Sequence, residues 1–460
     1  LGADVYTDSR YQKWRKYSFI NQDLEKVYIG RYSEDVYQVN EINADVIARF
    51  AKTFKDKYSI SALVGTNIYT RKVKRTYGET AGLAIEDLYS FENSAGRPTL
   101  KNELINRRIA GVYFDVNFGY KNLFFLDVTG RNDWSSTLPT NNRSYFYPGV
   151  SSSFVFSELF NANPMILSYG KIRASFAQVG KDAEPYSIKN VFVSSGVGDG
   201  YQDSEIHSPY TSADGSSVLG FTVSDRLRND KIKPEISTTW EVGTELSFLK
   251  DRLGIDFTYY WKRTRNEIMA VPAAPSTGFT ERIINAGILS NNGVELSFRG
   301  TPVSLDNGFK WEIYGTFTKN FSKVIKVADN ADQIVIGGLS SMAIVIQKGQ
   351  PYGSFYAITS ERDDKGNPVV DPATGAPVMT STPQIVGTFA PKWLGSLGTA
   401  LSYKGLRVSV LFDTRVGGQF YSATRDLQQF IGTDPLTLYN DREDFVIPNS
   451  VYRASDGSYQ

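Results

Sequence analysis

The stretch from Thr238 to Arg263, TTWEVGTELSFLKDRLGIDFTYYWKR, admits few folds. Trp240, Val242, Thr244, Leu246 and Phe248 occupy every second position, with Thr239, Glu241, Gly243, Glu245 and Ser247 between them. Successive side chains of a strand point to opposite faces, so alternation over about ten residues marks a strand between two unlike surroundings. After Lys250, Asp251 and Arg252 the pattern resumes, with Leu253, Ile255, Phe257, Tyr259 and Trp261 sharing a face. The stretch reads as an antiparallel hairpin with a very short connection.

The same rule recurs along the chain. A strand is expected from Glu41 to Phe54, with Ile42, Ala44, Val46, Ala48 and Phe50 on one face. Lys55 and Asp56 turn it into a second, which aligns Tyr58, Ile60, Ala62, Val64 and Ile68. Arg107 to Phe118 and Leu123 to Asn132 flank another short turn. Further strands are expected near Phe146 to Ser157, Leu167 to Gln178, Gly293 to Arg299, Phe309 to Phe321, Trp393 to Tyr403 and Leu406 to Thr414. Polar connections are expected at Leu1 to Asn40 (with one strand at most), Arg71 to Asn106, Val179 to Ser237, Asn266 to Leu289 and Ser322 to Lys392.

Short and long connections thus alternate through about a dozen strands. Successive antiparallel strands deliver every second connection to the same side, and outer-membrane barrels have short turns on one side and long loops on the other. A soluble β-sandwich shares the two-residue period, but its Greek-key connections give no reason for long loops at one end only. The fold expected is therefore all-β, part of a large antiparallel transmembrane β-barrel of outer-membrane type.

Composition agrees. Charged residues make up 22% of the 460, and no run of about 18 apolar residues is present to span as a helix. A spanning strand needs only about 9–11 residues and shows half of them to lipid. The 28 Tyr, 28 Phe and 6 Trp suit membrane interfaces, where a ring sits among acyl groups while its polar atom stays wet. They gather near strand ends, as at Phe54, Tyr58, Phe118, Tyr120, Phe309, Trp311, Trp393 and Tyr403. With 50 Lys and Arg against 49 Asp and Glu there is no net field to attract nucleic acid. The absence of Cys excludes disulfides and thiolate metal sites. No signal-peptide pattern opens the chain, so any such segment is expected to lie outside it.

One block is more specific. Asp127 to Phe156 reads DVTGRNDWSSTLPTNNRSYFYPGVSSSFVF, and Leu167 to Asp182 reads LSYGKIRASFAQVGKD. The combination of R-x-D-x-S-S, a short polar loop, a Y-F-Y-P-like segment and a K-[IL]-R-x-S-x-x-x-x-G strand resembles the SusC/RagA-type TonB-dependent outer-membrane transporters. Echoes follow in the same order at Ile232 to Ile268, Ser276 to Phe298 and Ala390 to Phe412. The resemblance implies a Gram-negative outer-membrane barrel with an N-terminal plug, a SusD-like surface lipoprotein as lid, coupling to TonB, and active import of an oligomeric nutrient. A glycan is the first expectation and a peptide the second. On this reading the chain is a partial barrel, with the plug and the final strands outside it. A structural or adhesive outer-membrane protein with surface-binding loops is the alternative.

No catalytic constellation or cofactor site is expected. His207 is the only histidine and lacks organised partners. Glu241 and Glu245 share the inferred lumenal face and suit a polar lining better than a catalytic carboxylate pair. Asp363, Asp364, Gly366, Asn367 and Asp371 miss the spacing of a calcium loop and read as a solvated turn. Asn132, Asp133, Trp134, Tyr145 and Tyr147, placed in an outer loop, are candidate substrate contacts with Glu241 and Glu245, because rings offer flat apolar faces and amides and carboxylates fix hydroxyls.

Overall fold

The computed structural model describes residues 2–17, 19–21, 26–28, 30–159, 163–194, 210–211, 217–218, 220–328, 331–339, 341–443, 445–454 and 456–460. Thirteen strands follow one another in sheet order exactly as they do in the chain, each next to its sequence neighbours. They are β1 (Gly2–Lys16), β2 (Arg31–Phe54), β3 (Tyr58–Glu79), β4 (Thr99–Tyr120), β5 (Phe124–Ser135), β6 (Ser144–Phe154) and β7 (Tyr169–Lys181). Then come β8 (Glu235–Phe248), β9 (Leu253–Arg265), β10 (Ile288–Ser304), β11 (Lys310–Lys326), β12 (Trp393–Tyr403) and β13 (Leu406–Val416). The chain divides into two compact units, residues 1–154, 175–238 and 274–285, and residues 155–174, 239–273 and 286–460.

In the first unit β2, β3 and β4 run 24, 22 and 22 residues, about twice what a bilayer requires. Here the structure corrects two expectations. Leu1 to Asn40 is not mainly loop, since β1 pairs with β2 from Gly2↔Asp45 to Lys16↔Arg31. Arg71 to Asn106 is likewise strand at both ends, paired from Arg71↔Arg107 to Glu79↔Thr99, which leaves 80–98 as the connection. Both faces of these extensions are polar, so the hydropathy contrast that reveals a strand is missing, while the backbone ladder continues.

Five connections are tight, at 55–57, 121–123, 249–252, 305–309 and 404–405, and they alternate with longer ones except at β6–β7, which are joined through 155–168. Lys55 and Asp56 (φ 51° and 50°), Lys121 and Asn122 (50° and 56°), and Lys404 and Gly405 (44° and 89°) all take left-handed backbone. Consecutive positive φ values match the right-handed twist of the flanking strands, which is why such turns close hairpins.

The two sheet faces differ sharply. Phe50, Val64, Trp240 and Leu397 each remain 55–56% exposed. Such a band would cost about 1.5–3 kcal/mol per large side chain if left in water, so its partner is hydrocarbon. Near the tight turns of the first unit Tyr58 packs on Tyr120 with centroids 5.1 Å apart, an aromatic border for the band.

In the second unit, the connection after β11 carries a sheet of its own, Gln333–Leu339, Met342–Gln347, Ser354–Ala357 and Gln384–Thr388, around buried Val345, Ile346 and Phe355. The expected turn lies beyond its third strand. Asp363 Oδ1 accepts from the Lys365 and Asn367 amides at 2.9 and 2.7 Å, and Asp371 Oδ1 from Ala373 N at 2.7 Å. These carboxylates are used in closing turns.

Candidate functional site: the polar face of the sheet

The face opposite the apolar band is built from charged and aromatic side chains that hold one another. In the first unit Asp45, Asn67, Gly111, Asp133 and Tyr145 form one cross-strand row. Asn67 Nδ2 donates to Asp45 Oδ1 at 3.1 Å, and Tyr113 donates its hydroxyl to the same oxygen at 3.0 Å. Arg131 reaches Asn67 Oδ1 at 3.3 Å through Nη2 and Asp133 Oδ1 at 2.8 Å through Nε. Tyr147 donates to Asp133 Oδ2 at 2.5 Å, and its ring stacks on Tyr145 at 6.0 Å.

Beyond this row Asp182, buried, takes Arg107 Nε at 3.1 Å and the Thr137 hydroxyl at 2.8 Å, with Ser135 as a third donor. Ser136 Oγ accepts from the Arg108 amide at 2.9 Å. The R-x-D-x-S-S residues Arg131, Asp133, Ser135 and Ser136 and the terminal Asp182 of the following strand segment therefore brace one patch of wall.

Glycines make that patch possible. A Cβ on Gly180 would lie 2.4 Å from Tyr145 Cδ2, and one on Gly65 would lie 2.5 Å from Tyr113 Cζ. Both tyrosines lie flat across a neighbouring strand where only hydrogen fits. Gly180→Ala is expected to lift the buried Tyr145 ring and destabilise the protein by about 1–3 kcal/mol. A urea-unfolding midpoint unchanged from wild type would contradict that packing.

The second unit repeats the device. Lys171 Nζ lies 2.7 Å from Glu245, Arg173 holds Asp256 through Nη1 and Nη2 at 2.9 and 2.6 Å, and Arg173 Nη2 also donates to Thr258 at 2.5 Å. Tyr260 folds over Gly293 and donates to Asn320 Oδ1 at 3.1 Å.

The candidate contacts separate by face. Asp133, Tyr145, Tyr147, Glu241 and Glu245 lie on the polar face. Asn132 and Trp134 alternate with Asp133 and lie on the other, where Trp134 is 40% exposed and Asn132 Nδ2 donates to Ser144 Oγ at 3.0 Å. The expected outer-loop placement is corrected, because the first three sit on β5 and the two tyrosines on β6, where the turn is shorter than the sequence suggested. Glu241 and Glu245 stand four residues apart, about 13 Å along a strand, too far for paired carboxylate chemistry. His207 lies outside the described residues. Among the described residues no group of three or more His, Asp or Glu is placed to hold a metal. Sequence reasoning missed Arg107, Arg173 and Asp256; they lie far from their partners along the chain, and only the cross-strand register brings them together.

Residues 3–447 match the family described as TonB dependent receptor-like, beta-barrel. The chain belongs to that family. This TonB-dependent receptor barrel is 24% identical over 405 residues to TonB-dependent receptor P26 of Formosa agariphila, covering 83% of this chain and 39% of the relative. It is 23% identical over 296 residues to TonB-dependent receptor SusC of Bacteroides thetaiotaomicron, covering 62% of this chain and 28% of SusC. It superposes on the RagAB peptide transporter with a TM-score of 0.71 at 18% identity, over 89% of this chain and 44% of that one. The resemblance to SusC/RagA-type barrels is borne out, and the place of the TonB-dependent receptor barrel is the outer membrane. The chain spans about two fifths of the P26 relative, 39% of its length. In such a barrel the apolar face meets lipid and the polar face lines the interior.

Proposed function

We propose that this chain supplies wall and outer loops of an active importer, which takes up an oligomeric nutrient with a SusD-like lipoprotein as lid and TonB as the source of work. A glycan is the first choice of substrate and a peptide the second. The observation that carries the reading is the polar face itself. Its ion pairs and flattened tyrosines form a firm wetted wall, on a sheet whose other face requires lipid. Energy coupling would reside in a plug, and on this reading the plug and the final strands belong to other parts of the full-length protein. Asp133, Tyr145, Tyr147, Glu241 and Glu245 belong to the wall that a substrate passes. Asn132 and Trp134 contribute from the lipid side by fixing the β5–β6 hairpin. No catalytic step is assigned to any of them.

The test is uptake by cells carrying the full-length protein and its neighbouring lipoprotein, with labelled oligosaccharide and oligopeptide pools. Loss of uptake of one pool on deletion, restored by complementation, is the expected result. Unchanged uptake of both pools, together with no binding by the purified complex, would reject import.

A further inference from the structure

On the polar face of the first unit the wall changes character beyond the level of Trp134, the interfacial tryptophan that ends the apolar band on the other face. Glu41, Arg71 and Arg107 form one cross-strand row there. The next row on that face is Val39, Val73 and Ile105, and the following one Tyr37, Arg75 and Glu103. Three half-buried β-branched side chains thus lie side by side in an otherwise charged wall. A cavity of about 560 Å³ opens over them, a size common among ligand sites, and Arg71, Arg107, Gln12 and Glu184 also line it.

The pairing of Arg71 with Arg107 sets the chemistry of this cavity. Directly opposed side chains have Cβ atoms about 5 Å apart, and like charges so placed repel. Each guanidinium is tethered from the side away from the other, Arg71 by Glu41 at 2.9 Å through Nε, and Arg107 by Asp182 through Nε at 3.1 Å and through Nη2. Among the described residues nothing accepts from either terminal nitrogen of Arg71 or from Arg107 Nη1. Two adjacent cations therefore keep donors for an anion set between them, and the planar fork of a guanidinium matches the oxygens of an acid group.

We infer that the cavity is a subsite for an acidic sugar residue, a uronate or a sulfated hexose, within the imported glycan; the inference rests on the import reading given above. The acid group bridges Arg71 and Arg107, the C–H face of the ring lies on Val73 and Ile105, and ring hydroxyls reach Gln12 and Glu184. A peptide is served poorly here. The backbone groups of β2, β3 and β4 are taken up by their own ladder, and the Val39–Val73–Ile105 floor offers nothing to a peptide bond. Charge and floor together select a ring that is apolar on one face and anionic at one edge.

The experiment measures retention by the full-length protein with its neighbouring lipoprotein in nanodiscs. The probes are uronic-acid oligosaccharides cut from pectin and alginate, the same pool after reduction of its carboxyl groups, sulfated oligosaccharides from carrageenan with their desulfated counterparts, and oligoglutamate. One acidic pool is expected to be retained about tenfold or more over its neutral counterpart, and the pool that is retained tells carboxylate from sulfate. Arg71→Gln should bring that ratio close to one, while Lys101→Gln, on the same face but outside the cavity, should leave it as in wild type. Equal retention of acidic and neutral counterparts by wild type, a measurement that needs no variant, would overturn the proposal and leave import standing. A ratio unchanged in Arg71→Gln, or stronger retention of oligoglutamate than of any sugar pool, would overturn it as well. Retention of none of the pools overturns it too, and only when joined with unchanged uptake on deletion does that result remove import itself.

Discussion

Val64→Arg is expected to destabilise the folded barrel by about 2–4 kcal/mol in a bilayer, and Leu63→Arg, one residue away, by about 0–1 kcal/mol. Val64 shares its row with Ala48 and Phe114, midway between the border at Phe54 and Tyr58 and the border at Trp134. An arginine there must be dragged out of hydrocarbon or drag water in. Leu63 pairs with Arg49 and Asp115 on the polar face, where a guanidinium stays wet and has a carboxylate across the strand. The comparison is made by urea titration of the full-length protein in lipid vesicles, with retarded migration of unheated protein as the folded signal. Equal losses for the two neighbours would mean that the faces are assigned wrongly.

The second large effect is at Asp182. Its carboxylate is almost fully enclosed, takes the Arg107 guanidinium, and accepts from Ser135 and Thr137. Asp182→Ala leaves a partly buried cation and two hydroxyls without their acceptor, a loss of about 3 kcal/mol. Asp182→Asn keeps one acceptor oxygen and should cost about half as much. Replacing both partners, Arg107→Met with Asp182→Leu, should recover much of the loss, because an apolar pair of similar volume carries no desolvation penalty. A double variant as unstable as Asp182→Ala would show that the hydroxyl contacts dominate and that the ion pair is incidental. The same titration reads all three variants.

How far the sequence disclosed this arrangement depends on where each residue sits relative to lipid. Trp393–Tyr403 has the expected bounds, and Thr238 to Arg263 lies within the β8–β9 hairpin, because alternation is written into residues that meet hydrocarbon on one side and water on the other. Val5 to Arg15 and Arg71 to Tyr77 are strands of the same sheet, but water or polar chain surrounds both of their faces. Their Tyr, Asp, Lys and Arg content therefore reads as loop. Asp133 and Trp134 show the limit of motif reading. The motif named the family and drew attention to both, yet it does not say that they point to opposite faces, which depends on register and on the length of the turn after Ser135. Partners such as Arg107 and Asp182 are set by cross-strand pairing, which no local pattern records.

The tight turns bear on assembly as well as architecture. A two- or three-residue connection whose backbone already bends with the strand twist lets its hairpin close in microseconds, without a long loop to bring together. Each such turn therefore brings its two flanking strands together as a pair. The connections at the other end join units already formed, and doubling the length of one adds only about 0.6 kcal/mol of closure entropy. That end can gain or lose whole segments, such as the small sheet at 333–388, at little cost in closure entropy, while the order of the strands stays the same.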